Sequence, residues 1–231
     1  MADVPEAYLG VWRRLLLRTP QFEDTTTEVY WLQTRDWHGD IRVPLNRPAC
    51  AGKTSLAQLD RDELLGLSKQ QGFAGVTEVV GDICRWHRKV DFQPPSGFND
   101  IGRMEFESTE RMLEYGIEQD YFEIWQRLPD SVGNPCSEIR YTGDNSADQT
   151  PSMIEIGSGK YFIRIKPRKL SLPFDDSPAD IDALRCRVDF EITFGMRTDA
   201  GTGRILRSTF PWREGPSSDN YDVLEASPAR L

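Results

Sequence analysis

The chain is poor in the residues that carry most enzyme and metal chemistry. It holds two histidines, His38 and His87, and four cysteines, Cys50, Cys84, Cys136 and Cys186, among 231 residues. The cysteines lie far apart and match neither zinc nor redox spacing. His38 sits in what reads as a turn, Asp36-Trp37-His38-Gly39-Asp40, and would ligate an ion only with Asp36 or Asp40 beside it. His87 alternates to the polar side of a strand and reads as a solvated imidazole. A Gly-x-Ser-x-Gly elbow is absent, and Ala51-Gly52-Lys53-Thr54 ends like a phosphate loop but lacks the first glycine and a strand leading into it. No catalytic residue, metal or cofactor is therefore assigned. No run approaches the ~18 apolar residues of a spanning helix. The start, Met1-Ala2-Asp3-Val4-Pro5-Glu6, is acidic with no apolar core, so the expectation is a cytoplasmic protein with reduced thiols. Positive charge is also scarce: 28 Lys and Arg stand against 37 Asp and Glu, a net charge of −9. That balance argues against a nucleic-acid partner. Two basic stretches, from Arg164 to Lys169 and from Arg85 to Lys89, read as solvated strand edges that resist edge-to-edge pairing.

What the chain has is alternation. Thr27, Val29, Trp31 and Gln33 share one side of a strand, and Glu28, Tyr30 and Leu32 the other. Cys84, Trp86, Arg88, Val90 and Phe92 read as one apolar face, with Arg85, His87, Lys89 and Asp91 opposite. Cys84 and Cys186 read as small core residues. Similar runs cover 10–18, 40–45, 73–80, 100–107, 111–116 and 121–128, then 153–156, 160–166, 184–196, 203–210 and 221–224. Turn signals at Pro94-Pro95-Ser96-Gly97, Gly157-Ser158-Gly159 and Asp199-Ala200-Gly201 separate several of them. One segment departs from this period. Residues 55–69 space Leu56, Leu59, Leu64, Leu65 and Leu67 by three and four, predicting a helix capped by Thr54 or Ser55 that either lids a barrel end or packs on the sheet.

Short phrases recur in order at offsets of roughly 100 to 120 residues. Val90-Asp91-Phe92 returns as Val188-Asp189-Phe190, and Gly102-Arg103 as Gly203-Arg204. Ile41-Arg42-Val43-Pro44 anticipates Ile163-Arg164-Ile165-Lys166-Pro167. Trp12-Arg13-Arg14-Leu15 anticipates Trp125-Gln126-Arg127-Leu128, and the run from Asp120 to Ile124 is echoed from Asn220 to Leu224. The expectation is an all-β fold of two tandem antiparallel barrels related by duplication. The first spans 1–128 and includes the helix; the second, smaller one spans 129–231, gains a polar loop at 131–152 and loses the helix.

Gly10-Val11-Trp12, at the start of the first strand, resembles the Gly-x-Trp opening of the lipocalin and calycin superfamily. The resemblance implies that Trp12 plugs the closed end of an eight-stranded barrel and that a late arginine, here Arg127, stacks over it. The family's usual export signal and disulfides are missing, which points to cytosolic relatives. Two fused lipocalin-like barrels also resemble a fungal family of casein-kinase-interacting, two-barrel proteins, which implies a non-catalytic role.

Several charges alternate inward. Arg88 shares a face with Trp86, Glu123 with Tyr121, Trp125 and Arg127, and Gln33 continues the Trp31 face. Arg42 flanks Ile41 and Val43. An inward charge is costly unless paired, so it serves either a structural Arg–Glu or Arg–Trp plug or the anchoring of a ligand head group. On the second reading the first barrel holds a small amphipathic or anionic ligand against Trp31, Trp86 and Trp125. Arg42 and Arg88 then neutralise the head group, with Gln33 and Glu123 nearby. Two other functions are weighed. One is a protein-interaction module with filled barrels and an exposed apolar patch near Trp37 or Trp212. The other is a calycin-type isomerase, cyclase or dehydratase using Glu123 or Tyr121.

Overall fold

Alternating runs become antiparallel strands that follow one another round a cylinder. The computed structural model describes residues 4–94, 97–141, 151–168, 180–197 and 203–217. Nine strands form the first sheet: β1 (Gly10–Arg18), β2 (Glu23–Asp24), β3 (Glu28–Gln33), β4 (Trp37–Val43), β5 (Gln71–Val80), β6 (Ile83–Asp91), β7 (Ile101–Ser108), β8 (Arg111–Gly116) and β9 (Phe122–Arg127). β2 only extends the end of β1, at Leu17 and Arg18. The other eight pair in chain order, and β9 returns to β1 with Trp12 opposite Arg127 and Arg14 opposite Trp125. Closure joins the first and last of the eight strands, with the shortest ladder between β6 and β7, where pairing runs only from Ile83 to Arg85 on β6.

The second half forms a six-stranded antiparallel sheet in sequence order: β10 (Cys136–Tyr141), β11 (Pro151–Ser158), β12 (Tyr161–Lys166), β13 (Glu191–Arg197), β14 (Gly203–Ser208) and β15 (Gly215–Ser217). Among the described residues β10 and β15 do not pair, so this sheet is open. One closed barrel and one open sheet replace the two barrels expected. The supposed polar loop at 131–152 contains β10, and the expected strand at 221–224 lies outside the described residues. Of the basic stretches, Arg164 to Lys166 lie on β12 between β11 and β13 and are not at an edge, whereas β6 pairs with β7 only as far as Arg85 and leaves His87 to Lys89 exposed beyond that pairing.

The barrel buries both of its faces over part of its wall. Inside it are Trp12, Val29, Trp31, Phe73, Cys84, Trp86, Met104, Met112 and Trp125. On its outer side Val11, Leu32, Ile41, Val43 and Ala74 meet Ile154, Ile156, Ile163, Ile165, Ile192 and Phe194 of the second sheet. Tyr30 stacks on Phe194 at 4.5 Å between ring centres. The layers approach closely at Gly39, where an added Cβ would lie 2.7 Å from Ile163. Arg207 grips Glu28 with two hydrogen bonds of 2.6 Å, tying the sheet to β3 at the rim of this core.

Bulges set the phase of the inward residues. Ala74 pairs with Val90 and Gly75 with Arg88, so Lys89 has no partner on β5. One extra residue turns the rest of the strand over. Trp86 points into the barrel, whereas Val90 and Phe92 join the outer core with Phe190. The single apolar face expected from Cys84 to Phe92 is therefore two half-faces.

The predicted helix exists as a short 3-10 turn, Leu56–Gln58, followed by α1 (Arg61–Leu67). Its cap is Asp60 rather than Thr54 or Ser55: Asp60 accepts from the Glu63 amide while Glu63 reaches back to the Asp60 amide, a reciprocal capping box. Leu59, Leu64 and Leu67 pack on Leu184 and Val188 of a second helix, α2 (Ile181–Val188). The stretch 184–196 is thus a helix and then β13, not one strand. Cys186, on the solvent side of α2, is exposed, whereas Cys84 is buried.

The recurring phrases fall unevenly on this topology. Trp12 and Trp125 belong to β1 and β9, neighbours in one barrel. Val90 sits on a strand and Val188 at the end of a helix. Ile41-Arg42-Val43 and Ile163-Arg164-Ile165, however, both lie on the strand immediately preceding a helix, β4 and β12. The second half therefore has a helix of its own, α2, where none was expected.

Candidate functional site

One end of the barrel is closed by a 3-10 turn, Glu6–Tyr8, whose Tyr8 ring enters the interior core. Trp12 Nε1 donates to the Tyr8 carbonyl at 2.8 Å. The Arg127 guanidinium lies 4.6 Å from the Trp12 ring and donates to the Ala7 carbonyl at 2.5 Å. Cation–π attraction and the hydrogen bond together hold the turn against the barrel mouth. The predicted helix does not take part in this closure; it packs on α2 instead.

Deeper in, Gln33, Thr77 and His38 form a buried polar chain. The Thr77 hydroxyl donates to Gln33 Oε1 at 2.7 Å and lies 3.0 Å from His38 Nδ1. Thr77 has a single hydrogen, already given to Gln33, so His38 donates from Nδ1 and Nε2 carries a bare lone pair. Nε2 indeed has no partner. Burial, reinforced by the Arg88 and His87 charges, pulls the His38 pKa down to about 3, so the ring is neutral. His38 lies on β4 inside the barrel rather than in a turn. Among the described residues no group of three His, Cys, Asp or Glu side chains is placed to hold a metal ion. His87 is exposed and 2.9 Å from Glu78.

Above this layer Trp31 meets Trp86 and Trp125 edge-on, at 5.5 and 5.9 Å between ring centres. These three indoles and Phe73 line a cavity with about 20 Å³ of free space, together with Asp40, Arg42, Asp100 and Glu114. That is room for one water-sized group. Trp31 Nε1 is buried without a hydrogen-bond partner.

Every guanidinium around the cavity is engaged. Arg42 Nε donates to Asp40 at 2.9 Å. Arg88 lies 3.6 Å over the Phe73 ring and binds Asp100 and Asp91, each at 2.7 Å. Arg14 bridges Glu123 at 2.7 Å and Asp24 at 3.2 Å. Burial alone would raise the Asp24 pKa, but hydrogen bonds from Thr27 and Thr26 overcome it and hold the carboxyl below its usual range. The structure thus brings Trp31, Arg42, Trp86 and Trp125 to one cavity. Arg88 sits at its edge through Asp100, Glu123 one shell away with Arg14, and Gln33 in the layer beneath.

Glu114 is the residue sequence reasoning missed. It sits on β8 directly opposite Glu123 on β9, and both are buried. It accepts from the Tyr121 hydroxyl at 2.7 Å and from Trp125 Nε1 at 3.0 Å. Burial, then the facing Glu123, drives its pKa well above the ordinary carboxylate range. Burial also raises Glu123, against the pull of Arg14 and Arg42. The Tyr121 hydroxyl is raised by burial and by Glu114, so it keeps its proton. Gly102 makes room for this carboxyl, since a Cβ there would lie 3.0 Å from Glu114 Cγ. The available signal was phase: Glu114 follows the inward Met112 by two.

An up-and-down barrel of eight antiparallel strands, opened by Gly10-Val11-Trp12 and closed by an arginine over that indole, is a lipocalin-like fold. No family model matches the chain, and no curated protein matches it. Among solved structures it is similar to the uncharacterized protein YLR301w from Saccharomyces cerevisiae, with a TM-score of 0.54 at 14% identity over 86% of this chain and 84% of that one. This likeness spans both halves of the chain and concerns the fold alone. A lipocalin-like protein from Bacteroides uniformis aligns with a TM-score of 0.34 at 11% identity, covering 53% of this chain and 99% of that one.

Proposed function

We propose that the protein is a non-catalytic, cytoplasmic binding protein that takes a small molecule, or the head group of a larger one, into its closed barrel. The observation that supports this is the cavity itself, where three indoles and Phe73 meet four charged side chains. Aromatic faces set beside convergent charged groups are features that small-molecule sites use to bind and orient a ligand. About 20 Å³ admits only a small group, so the rest of a larger ligand lies at the rim, where Arg42, Arg88 and Asp100 are partly exposed. Titrating intrinsic tryptophan fluorescence with a panel of fatty acids, retinoids, aromatic carboxylates and small amines tests the reading. Saturable quenching by at least one compound is expected; a flat response to all of them refutes it.

A second reading, acid–base catalysis, has one observation in its favour: the raised Glu114 pKa beside Tyr121. Turnover of a carbonyl substrate that is abolished by Glu114→Gln would establish it. The surface-docking alternative loses its anchor residues, because Trp37 packs against the core between barrel and sheet and Trp212 against the two helices. No helix among the described residues is long and apolar enough to cross a membrane.

The two halves are further read as copies of one plan with a boundary near residue 128. The register that supports this equates β3–β4–α1–β5–β6 with β11–β12–α2–β13–β14. Superposing the two segments in a crystal structure tests it.

A further inference from the structure

We propose that the ligand of this barrel is a primary organic ammonium ion, its –NH3+ group seated in the cavity lined by Trp31, Trp86 and Trp125 and countered by Asp40, Asp100 and Glu114. The inference rests on the small-ligand reading above and reverses the anionic head group that the sequence suggested.

The charge balance supports it. Six carboxyls (Asp24, Asp40, Asp91, Asp100, Glu114 and Glu123) stand against the guanidiniums of Arg14, Arg42 and Arg88. Each guanidinium already binds at least one of these carboxylates, Arg42 through its Nε. Even with a proton on Glu114, five carboxylates outnumber three cations. An anionic ligand would add to that excess in a site where water no longer screens it, whereas a cation reduces it. The walls act in the same direction, since indole and phenyl faces carry negative potential and attract ammonium groups. The buried Trp31 Nε1 with no partner adds a second feature: it is a donor lacking an acceptor. A ligand with a hydroxyl or ether oxygen a few bonds from its nitrogen satisfies both, and the water-sized cavity admits only an unsubstituted –NH3+ head, which points to small primary amino alcohols.

Binding by this route moves a proton. Burial and then the facing Glu123, with Asp100 beyond it, oppose the ionisation of Glu114, and the buried Tyr8 and Cys84 also face it; the Tyr121 hydrogen bond and the Arg42 charge favour ionisation but are outweighed. An ammonium beside it adds a second favouring charge, so the carboxyl ionises as the ligand enters and its proton leaves to solvent. Binding therefore tightens as pH rises, until Glu114 is already ionised in the free protein or the ligand's own amine loses its proton.

The test uses the full chain with ethanolamine and methylammonium, against acetate and propanol as anionic and neutral probes of similar size. Affinity is read from tryptophan fluorescence, and calorimetry in phosphate and in HEPES reads the proton released. The expected result is that ethanolamine binds at least about tenfold more tightly than acetate, with proton release, and that Glu114→Gln abolishes the release and weakens binding about tenfold. Should Glu114→Gln fail to fold, proton release by the natural protein decides alone. Acetate binding without ethanolamine binding overturns the inference and leaves the small-ligand function standing. No binding by these probes or by the wider panel overturns both. Ethanolamine binding with no proton release, unaffected by Glu114→Gln, places the cation elsewhere and overturns the inference.

Discussion

Replacing Arg14 by methionine probes the polar interior most sharply. Arg14 and Glu123 side chains are 4% and 5% exposed, and their 2.7 Å contact is Glu123's direct ion pair. Arg14→Met keeps much of the volume and the β1 ladder, but strands the Glu123 carboxylate in the barrel. Breaking one side of a buried pair costs about 3–5 kcal/mol. In a chain of this size each kcal/mol lowers Tm by about 2–4 °C, so the variant should melt roughly 6–20 °C below the natural protein. Glu123→Leu alone should be costly too, since Arg14 then has only Asp24, at 3.2 Å. The double variant should recover much of the loss, because Asp24 is 17% exposed and is held by the Thr26 and Thr27 amides. A coupling of about 2 kcal/mol or more between the two changes is expected from urea unfolding of the ligand-free chains. If Arg14→Met shifts stability by less than about 1 kcal/mol, the pair is solvated and the reasoning fails.

Three further outcomes follow from named contacts. Glu114 has a raised pKa in the folded protein, so its contribution to stability is full below the unfolded value and is lost as pH rises through the folded one. Glu114→Gln should therefore flatten the alkaline decline in Tm; an unchanged pH profile contradicts the buried carboxyl. His38 runs the other way, because its pKa is lowered to about 3. The stability it supplies is present above the unfolded value and falls as pH drops toward 3, and NMR titration of its ring should show no protonation near pH 6. Gly39→Val places a side chain where a Cβ is already 2.7 Å from Ile163. Overpacking of this kind costs about 1–3 kcal/mol, and a neutral result in urea unfolding would show that sheet and barrel are not in close contact there.

The strands themselves were legible, because large buried residues alternate with more exposed ones along much of the barrel. β3 and β9 carry their inward residues (Val29, Trp31, Gln33; Glu123, Trp125, Arg127) at unbroken period two. Phase was lost where a bulge intervenes. Lys89 leaves no mark in the sequence, yet it sends Val90 and Phe92 outward while Trp86 stays in. The helix α2 was read as a strand because Leu184, Cys186 and Val188 alternate with charged residues, a pattern that short helices and strands share. His38 was placed in a turn because Asp36 and Gly39 flank it, whereas β4 buries its inward side in the barrel and its outward side against the second sheet. Such two-sided burial removes the polar alternation that marks a strand. The cavity was half visible. Its aromatic members and Arg42 could be named from phase, but Asp40, Asp91 and Asp100 reach the guanidiniums from a neighbouring inward position, beyond a bulge and from a loop. Their arrival is what turned an apparently cationic interior into an anionic one.

The most direct test of an ammonium ligand inside the barrel follows the indole N–H resonances of the six tryptophans while ethanolamine is added. The account predicts shifts at Trp31, Trp86 and Trp125, with Trp37 and Trp212 unmoved. Shifts confined to Trp37 or Trp212, or none at any indole, would contradict it.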